Sequence, residues 1–222
     1  MRIIFGFFLT FILTGCVYYP QLADIPLIKQ KGDLRIDGGI TSNISANTTV
    51  SYGITNRLSL QLYGNVFHGY YFHGAVGLYK KLEPKTVFEL YTGFGYGHGD
   101  AYKDAIPGRL IGNYQLYFTQ FNVGRIDCKI ANADFGFGLK TGILHSNFMD
   151  KNFYRYYSDN GPYKSYKDNS FLLEPILLLR FGGEHLKFCL KFGYTKIFKF
   201  SNKEKDIPYG NYNVGLGVNY GF

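Results

Sequence analysis

From Asp33 to the last residue, hydrophobic side chains return at every second position, the period of a strand whose two faces meet different surroundings. The clearest stretch is the last. Tyr212, Val214, Leu216, Val218, Tyr220 and Phe222 share one parity, and Asn213, Gly215, Gly217, Asn219 and Gly221 the other. Upstream, Leu34, Ile36 and Ile40 oppose Arg35, Asp37 and Thr41; Val50, Tyr52 and Ile54 oppose Thr49, Ser51 and Gly53; Leu58, Leu60 and Leu62 oppose Ser59, Gln61 and Tyr63. The pattern continues with Phe72, Val76 and Leu78 against His73, Gly77 and Tyr79, and with Phe88, Leu90, Phe94 and Tyr96 against Glu89, Tyr91, Gly93 and Gly95. Ala131, Ala133, Phe135, Phe137 and Leu139 then oppose Asn132, Asp134, Gly136, Gly138 and Lys140, and Leu186, Phe188, Leu190, Phe192 and Tyr194 oppose Lys187, Cys189, Lys191 and Gly193. Two segments are less clean. Asn113 to Arg125 is apolar on both parities, and Phe171 to Phe181 places Leu172, Ile176 and Leu178 on the same face as Glu174 and Arg180, with Pro175 inside the run.

Connections add a second regularity. Short breaks at Thr55-Asn56-Arg57, Glu83-Pro84-Lys85, around Asp127-Cys128 and at Gly182-Gly183-Glu184 alternate with longer ones at His98 to Gly112, Ser146 to Asn169 and Ser201 to Gly210. Short turns on one rim and long loops on the other describe an outer-membrane barrel, with its apolar parity towards lipid and its polar parity towards the lumen. The expectation is an all-β chain: a single up-and-down antiparallel transmembrane β-barrel over residues 33–222, of about ten strands with eight as the alternative count. A soluble sandwich would alternate too, but would not usually end on an exposed apolar residue. The terminal strand resembles the closing strand of bacterial outer-membrane barrels, which usually end on Phe after alternating apolar residues. The strand count puts both barrel ends on the periplasmic, turn-bearing rim.

The start of the chain has a different character. Met1-Arg2 is followed by an apolar run from Ile3 to Leu13, well short of the roughly 20 residues of a spanning helix, and residues 1–15 read as a removable export signal. It ends in Leu13-Thr14-Gly15-Cys16, which resembles the lipobox of bacterial lipoproteins. That resemblance implies diacylation of the Cys16 thiol, cleavage before it and acylation of the new amino terminus. Val17 follows where the family's best-known inner-membrane retention signal has Asp, so delivery to the outer membrane is implied. Residues 16–32, with Pro20 and Pro26 and no clear alternation, read as a lipidated tether to the first strand.

Composition agrees with strands. The 222 residues include 21 Tyr, 21 Phe and 28 Gly, with no Trp, and aromatic residues favour strands while glycines favour tight turns. Net charge is +8, but without a compact Lys/Arg block and behind an export signal it does not indicate nucleic acid. Outer-membrane lipid, and lipopolysaccharide phosphates, are the expected partners of basic residues.

The parities turn a cluster of charges inward: Arg35, Asp37, Glu89, Asp134, Lys140, Glu174, Arg180, Lys187 and Lys191. Facing lipid, an Arg or Lys near the midplane would cost about 2 to 4 kcal/mol. Inside, mixed signs either pair as an ionic plug or line a small pore or solute site. Of the cysteines, Cys128 falls at a turn and Cys189 mid-strand, depths too different for a disulfide. The His residues lack metal-ligand spacing, and no cofactor or metal is expected. His98-Gly99-Asp100 and His145-Ser146 lie near outer strand ends, but neighbours on a strand face opposite ways, so a His–Ser couple forms only if the strand has ended. The stretch 150–168, rich in Tyr, Lys and Arg, could grip an extracellular ligand or shield the barrel mouth. The function expected is therefore a non-catalytic outer-membrane lipoprotein with a structural, adhesive or envelope-maintenance role. The alternatives are a lipocalin-like carrier of a hydrophobic ligand, a small pore, or a rim-active hydrolase.

Overall fold

The computed structural model describes residues 16–23, 25–66, 69–82, 85–103, 108–129, 132–150, 164–200, 207 and 209–222. Residues 1–15, read above as an export signal, Ala131 and most of the Tyr-rich stretch, residues 151–163, lie outside the described residues.

The described chain is all strand: β1 (Leu34–Thr41), β2 (Ala46–Gly53), β3 (Leu58–Val66), β4 (Gly69–Leu82), β5 (Thr86–Lys103), β6 (Gly108–Cys128), β7 (Ala133–Asp150), β8 (Lys164–Gly182), β9 (Leu186–Tyr194), β10 (Lys196–Lys199) and β11 (Tyr212–Gly221). Consecutive strands from β1 to β9 pair antiparallel, and β11 pairs with both β9 and β1, so the sheet closes. The closing seam sets Ile36 against Tyr220 and Ile40 against Leu216. β9 and β10 act as one wall strand. Both pair with β8, Leu177 with Phe192 and Leu173 with Lys196. The ladder gap between them contains Pro175, which has no N–H to donate. Eleven elements thus make a ten-strand barrel.

Every clean alternation in the sequence is seen as an exposed apolar row and a buried row. On β9 the burial alternates without exception, and on β4 it does so until the strand leaves the wall. β6, whose faces the sequence leaves open, turns Leu116 and Phe118 inward and Tyr117 and Phe121 outward. One parity differs from expectation: Ala133 is buried beside Asp134 instead of exposed. The register slips between Arg125 and Cys128, where two residues of β6 oppose the single Asp134 of β7, and Ala133 lies at this irregular end of the ladder. The positive φ of Asp127 (50°) and Asn132 (48°) marks the same tight corner.

Two connections are shorter than the sequence suggests. His98 to Gly112 is mostly β-hairpin, with Gly99 paired to Gly112 and Lys103 to Gly108. β7 runs on to Asp150 and β8 begins at Lys164, so both ends of Ser146 to Asn169 are wall. The connections after β2, β4, β6 and β8 share one rim with the start of β1; the opposite rim carries those after β1, β3, β5, β7 and β10, of which the last two are long. These are called the turn rim and the loop rim below.

Candidate functional site

The lumen is filled by the chain's own amino-terminal segment. Residues 17–23 and 25–28, in the stretch read as a tether to the first strand, run along the barrel interior. Val17, Tyr18, Leu22, Ala23, Ile25, Leu27 and Ile28 are all buried. The reason is compositional: a stretch this apolar loses free energy by leaving water, at about 25 cal/mol per Å², and the barrel interior offers matching surface. Near the turn rim Ile25 and Leu27 pack with Val87, Ile126, Ile176 and Leu178. Near the loop rim Val17, Tyr18 and Ala23 join a larger cluster with Tyr71, Tyr114, Phe118 and Leu172. This accounts for the inward apolar residues of β6 and β8.

A segment that pairs with no strand must still satisfy its backbone polar groups. Here the inward-facing charges do so. Glu174 accepts the Gln21 N–H (3.2 Å) and the Tyr18 hydroxyl (3.0 Å). Lys140, 3.1 Å from Glu174, also donates to the Gln21 carbonyl at 3.3 Å. Arg180 donates to the carbonyls of Ile25 (2.8 Å) and Pro26 (3.3 Å), and Glu89 accepts the Ile28 N–H (2.8 Å). Between these contacts Leu27 adopts a left-handed backbone, φ 55°, a conformation costing an ordinary residue roughly 1–2 kcal/mol. At that kink the carbonyl on one side meets Arg180 on β8 and the N–H on the other meets Glu89 on β5. Lys191 pairs with Asp37 and donates to the Leu22 carbonyl at 3.5 Å.

The remaining charges cluster close to the turn rim. Lys187 bridges Asp134 (2.7 Å) and Asp127 (3.1 Å), Asp127 also takes Lys29 (2.8 Å), and Arg180 stands 3.9 Å from Asp134. Arg35 pairs with Asp33 at 3.1 Å. Every residue of the expected cluster is buried: Arg35, Asp37, Glu89, Asp134, Lys140, Glu174, Arg180, Lys187 and Lys191. Burying such charges costs several kcal/mol per ion unless partners surround them. Here the partners are opposite charges and the threaded backbone. Pairs such as Lys140–Glu174 and Lys187–Asp134 and the threaded segment together occupy this interior.

The sequence reading missed the segment's own contributors, Tyr18, Gln21 and Lys29. It also missed polar wall residues beside them: Asn122 (donating to Glu89, 3.0 Å), Asn213 (donating to the Pro20 carbonyl, 3.1 Å) and Asn65, which donates to the Gln21 side chain. A signal was present. Leu22, Ile25, Leu27 and Ile28 are too apolar for a solvated tether.

The rim residues with possible chemistry are kept apart. His145 points outward to Asn169, whereas Ser146 is buried and shares a hydrogen bond with Tyr209 at 3.2 Å. β7 continues past both, so they lie on opposite faces. Burial pushes the Tyr209 phenol up to about 12. His98 stands 2.8 Å from Asn113 and stacks on Tyr70. No disulfide links Cys16, Cys128 or Cys189, and no grouping that could hold a metal occurs among the described residues.

No family model matches the chain, and no curated protein does. Among solved structures, it is similar to the N-terminal β-barrel domain of Pseudomonas aeruginosa OprF. Identity is 12%, over 87% of this chain and 100% of that one, with a TM-score of 0.33. It is also similar to OccD1 (OprD) Y282R/D307H, at 14% identity over 80% of this chain and 59% of that one, with a TM-score of 0.23. Overlays this loose bear no weight, and the barrel stands on its own strand pairing.

Proposed function

We propose that the chain is an outer-membrane β-barrel lipoprotein with a structural, adhesive or envelope-maintenance role, non-catalytic, whose lumen is closed by its own amino-terminal segment. The supporting observation is the direction of the apolar face. Leu62, Leu216 and Phe222 are 64%, 58% and 66% exposed, while Lys140, Glu174 and Arg180 are fully buried. Soluble monomers rarely expose contiguous apolar patches beyond a few hundred Å²; this one encircles the barrel. On β2–β5 it includes an open apolar groove of about 600 Å³ bordered by Val50, Leu60, Val76 and Phe94, a surface suited to acyl chains. Exposed Lys80 and Arg125 at the turn-rim edge of that belt suit lipid phosphates.

A lipocalin-like carrier needs its apolar parity inside and a vacant cavity, and this interior is occupied. The test has two parts. The full chain should fractionate with outer membranes, require detergent for extraction and change gel mobility on heating. In planar bilayers it should not conduct, whereas deletion of residues 17–31 should produce channels. A soluble, detergent-independent full-length protein would overturn the reading. Labelling with radioactive palmitate, lost in Cys16→Ala, tests the lipoprotein part.

A further inference from the structure

The path of the amino-terminal segment fixes which membrane leaflet residue 16 meets. The segment leaves β1 at the turn rim, where Gly32, at φ +85°, donates its N–H to the carbonyl of Gly53 at 2.8 Å. Gly53 is the last residue of β2 before a tight turn. The contacts then climb the wall in order. Ile28 reaches Glu89; Ile25 meets Arg180; Leu22 lies where side chains on Gly193 and Gly215 would stand, 2.6 and 2.9 Å from their ideal Cβ positions. Tyr18 forms a parallel bridge with Tyr209, its carbonyl accepts the Gly210 N–H at 2.7 Å, and its ring meets Tyr114 edge-on at 5.4 Å. Val17 packs on Gly99, near the loop-rim end of β5. Tyr209 and Gly210 belong to the connection between β10 and β11, also at the loop rim.

We infer that this segment is a through-barrel strap, and that an acyl anchor on Cys16 enters the leaflet at the loop rim, the outer leaflet, instead of the periplasmic one. The inference rests on the outer-membrane reading above. Distance decides it. Only Cys16 itself follows Val17 along the strap, and a chain advances at most about 3.3–3.6 Å per residue, whereas the apolar belt of such barrels is about 25 Å tall. A thioether-linked glycerol on residue 16 cannot return its ester groups to the turn rim. The buried ion pairs and the packed strap block the way back through the lumen. The protein is then pinned twice to one membrane: by its barrel, and by a lipid on the cell-surface side.

Short epitopes placed in the full chain between Cys16 and Val17, after Asn43 at the loop rim, and after Asn56 at the turn rim test this. Antibody binding is compared in intact and permeabilised cells, with heat-dependent mobility confirming the barrel. The expected result is that the Cys16 epitope is read in intact cells together with the Asn43 epitope, while the Asn56 epitope is lost until permeabilisation. A Cys16 epitope behaving like that at Asn56 overturns the strap topology. An Asn43 epitope hidden in intact cells overturns the outer-membrane reading and the inference with it. Should the insertion at Cys16 disturb folding, Tyr19→Cys replaces it. An impermeant maleimide should label that thiol in intact cells, and the natural Cys128 at the turn rim only after permeabilisation; the reverse order overturns the inference.

Discussion

β11 and β8 present nearly interchangeable faces to the outside and opposite faces to the inside. Outward, Val214, Leu216 and Val218 on one match Leu177, Leu179 and Phe181 on the other. Inward, β11 offers Asn213, Gly215, Gly217 and Asn219, while β8 offers Leu172, Glu174, Ile176, Leu178 and Arg180. The strap explains the contrast. Where Leu22 comes close to the backbone, the wall at Gly193 and Gly215 has no side chain to spare room for. On β8 the wall instead reaches out, with carboxylate and guanidinium on the strap's amides and carbonyls and with Ile176 and Leu178 on Ile25. The exterior is uniform because hydrocarbon is uniform; the interior is particular because its occupant is a single asymmetric peptide.

The comparison can be broken most forcefully at Glu174. Glu174→Ala strands Lys140 without its buried partner and removes acceptors of Tyr18, Gln21 and Thr195. A loss of about 3–5 kcal/mol is expected in denaturant unfolding from lipid vesicles. Pairing it with Lys140→Met should recover a large part, and a strictly additive double mutant would refute the coupling. Equivalence of the two exteriors is tested by Leu216→Arg and Leu177→Arg. Each should cost about 2–4 kcal/mol near the midplane, and a large difference between them would mean that one face is not in lipid. On the glycine side, Gly193→Ala sets a methyl against Leu22 and should cost about 1–3 kcal/mol through overpacking, relieved by Leu22→Ala. The smallest effect belongs to Lys29→Ala. Its pair with Asp127 is about a third exposed on both sides, and such pairs contribute about 0–1 kcal/mol.

The wall was legible in the sequence and its contents were not, for a physical reason. β9, β11 and the inward direction of Arg35, Asp37, Lys187 and Lys191 follow from a period of two, which any half-lipid, half-lumen strand must show. The strap has no partner strand. Between backbone contacts at its two ends its hydrogen bonds go to scattered side chains, so Val17 to Gly32 carries no period and resembles a linker. The same hidden neighbour blurs Asn113 to Arg125, where Leu116 and Phe118 are apolar for the strap's sake and Tyr117 and Phe121 for the membrane's. His98 to Gly112 passes for a loop because glycines and polar residues dominate it, although its backbone is fully paired to Lys103 and Gly108.

The seam between β1 and β11 carries an implication for how the molecule is made. Once Arg35 stands against Gly221 and Thr41 against Gly215, the wall is a closed ring, and the peptide immediately ahead of β1 is already inside it. Drawing Tyr18, Tyr19 and Leu22 through a finished ring would mean parting Lys140 from Glu174 and Lys191 from Asp37 at every step. Wrapping an open sheet around a peptide already laid in place needs no such undoing, so the residues from Val17 to Ile28 serve as the mandrel on which the last strand completes the turn.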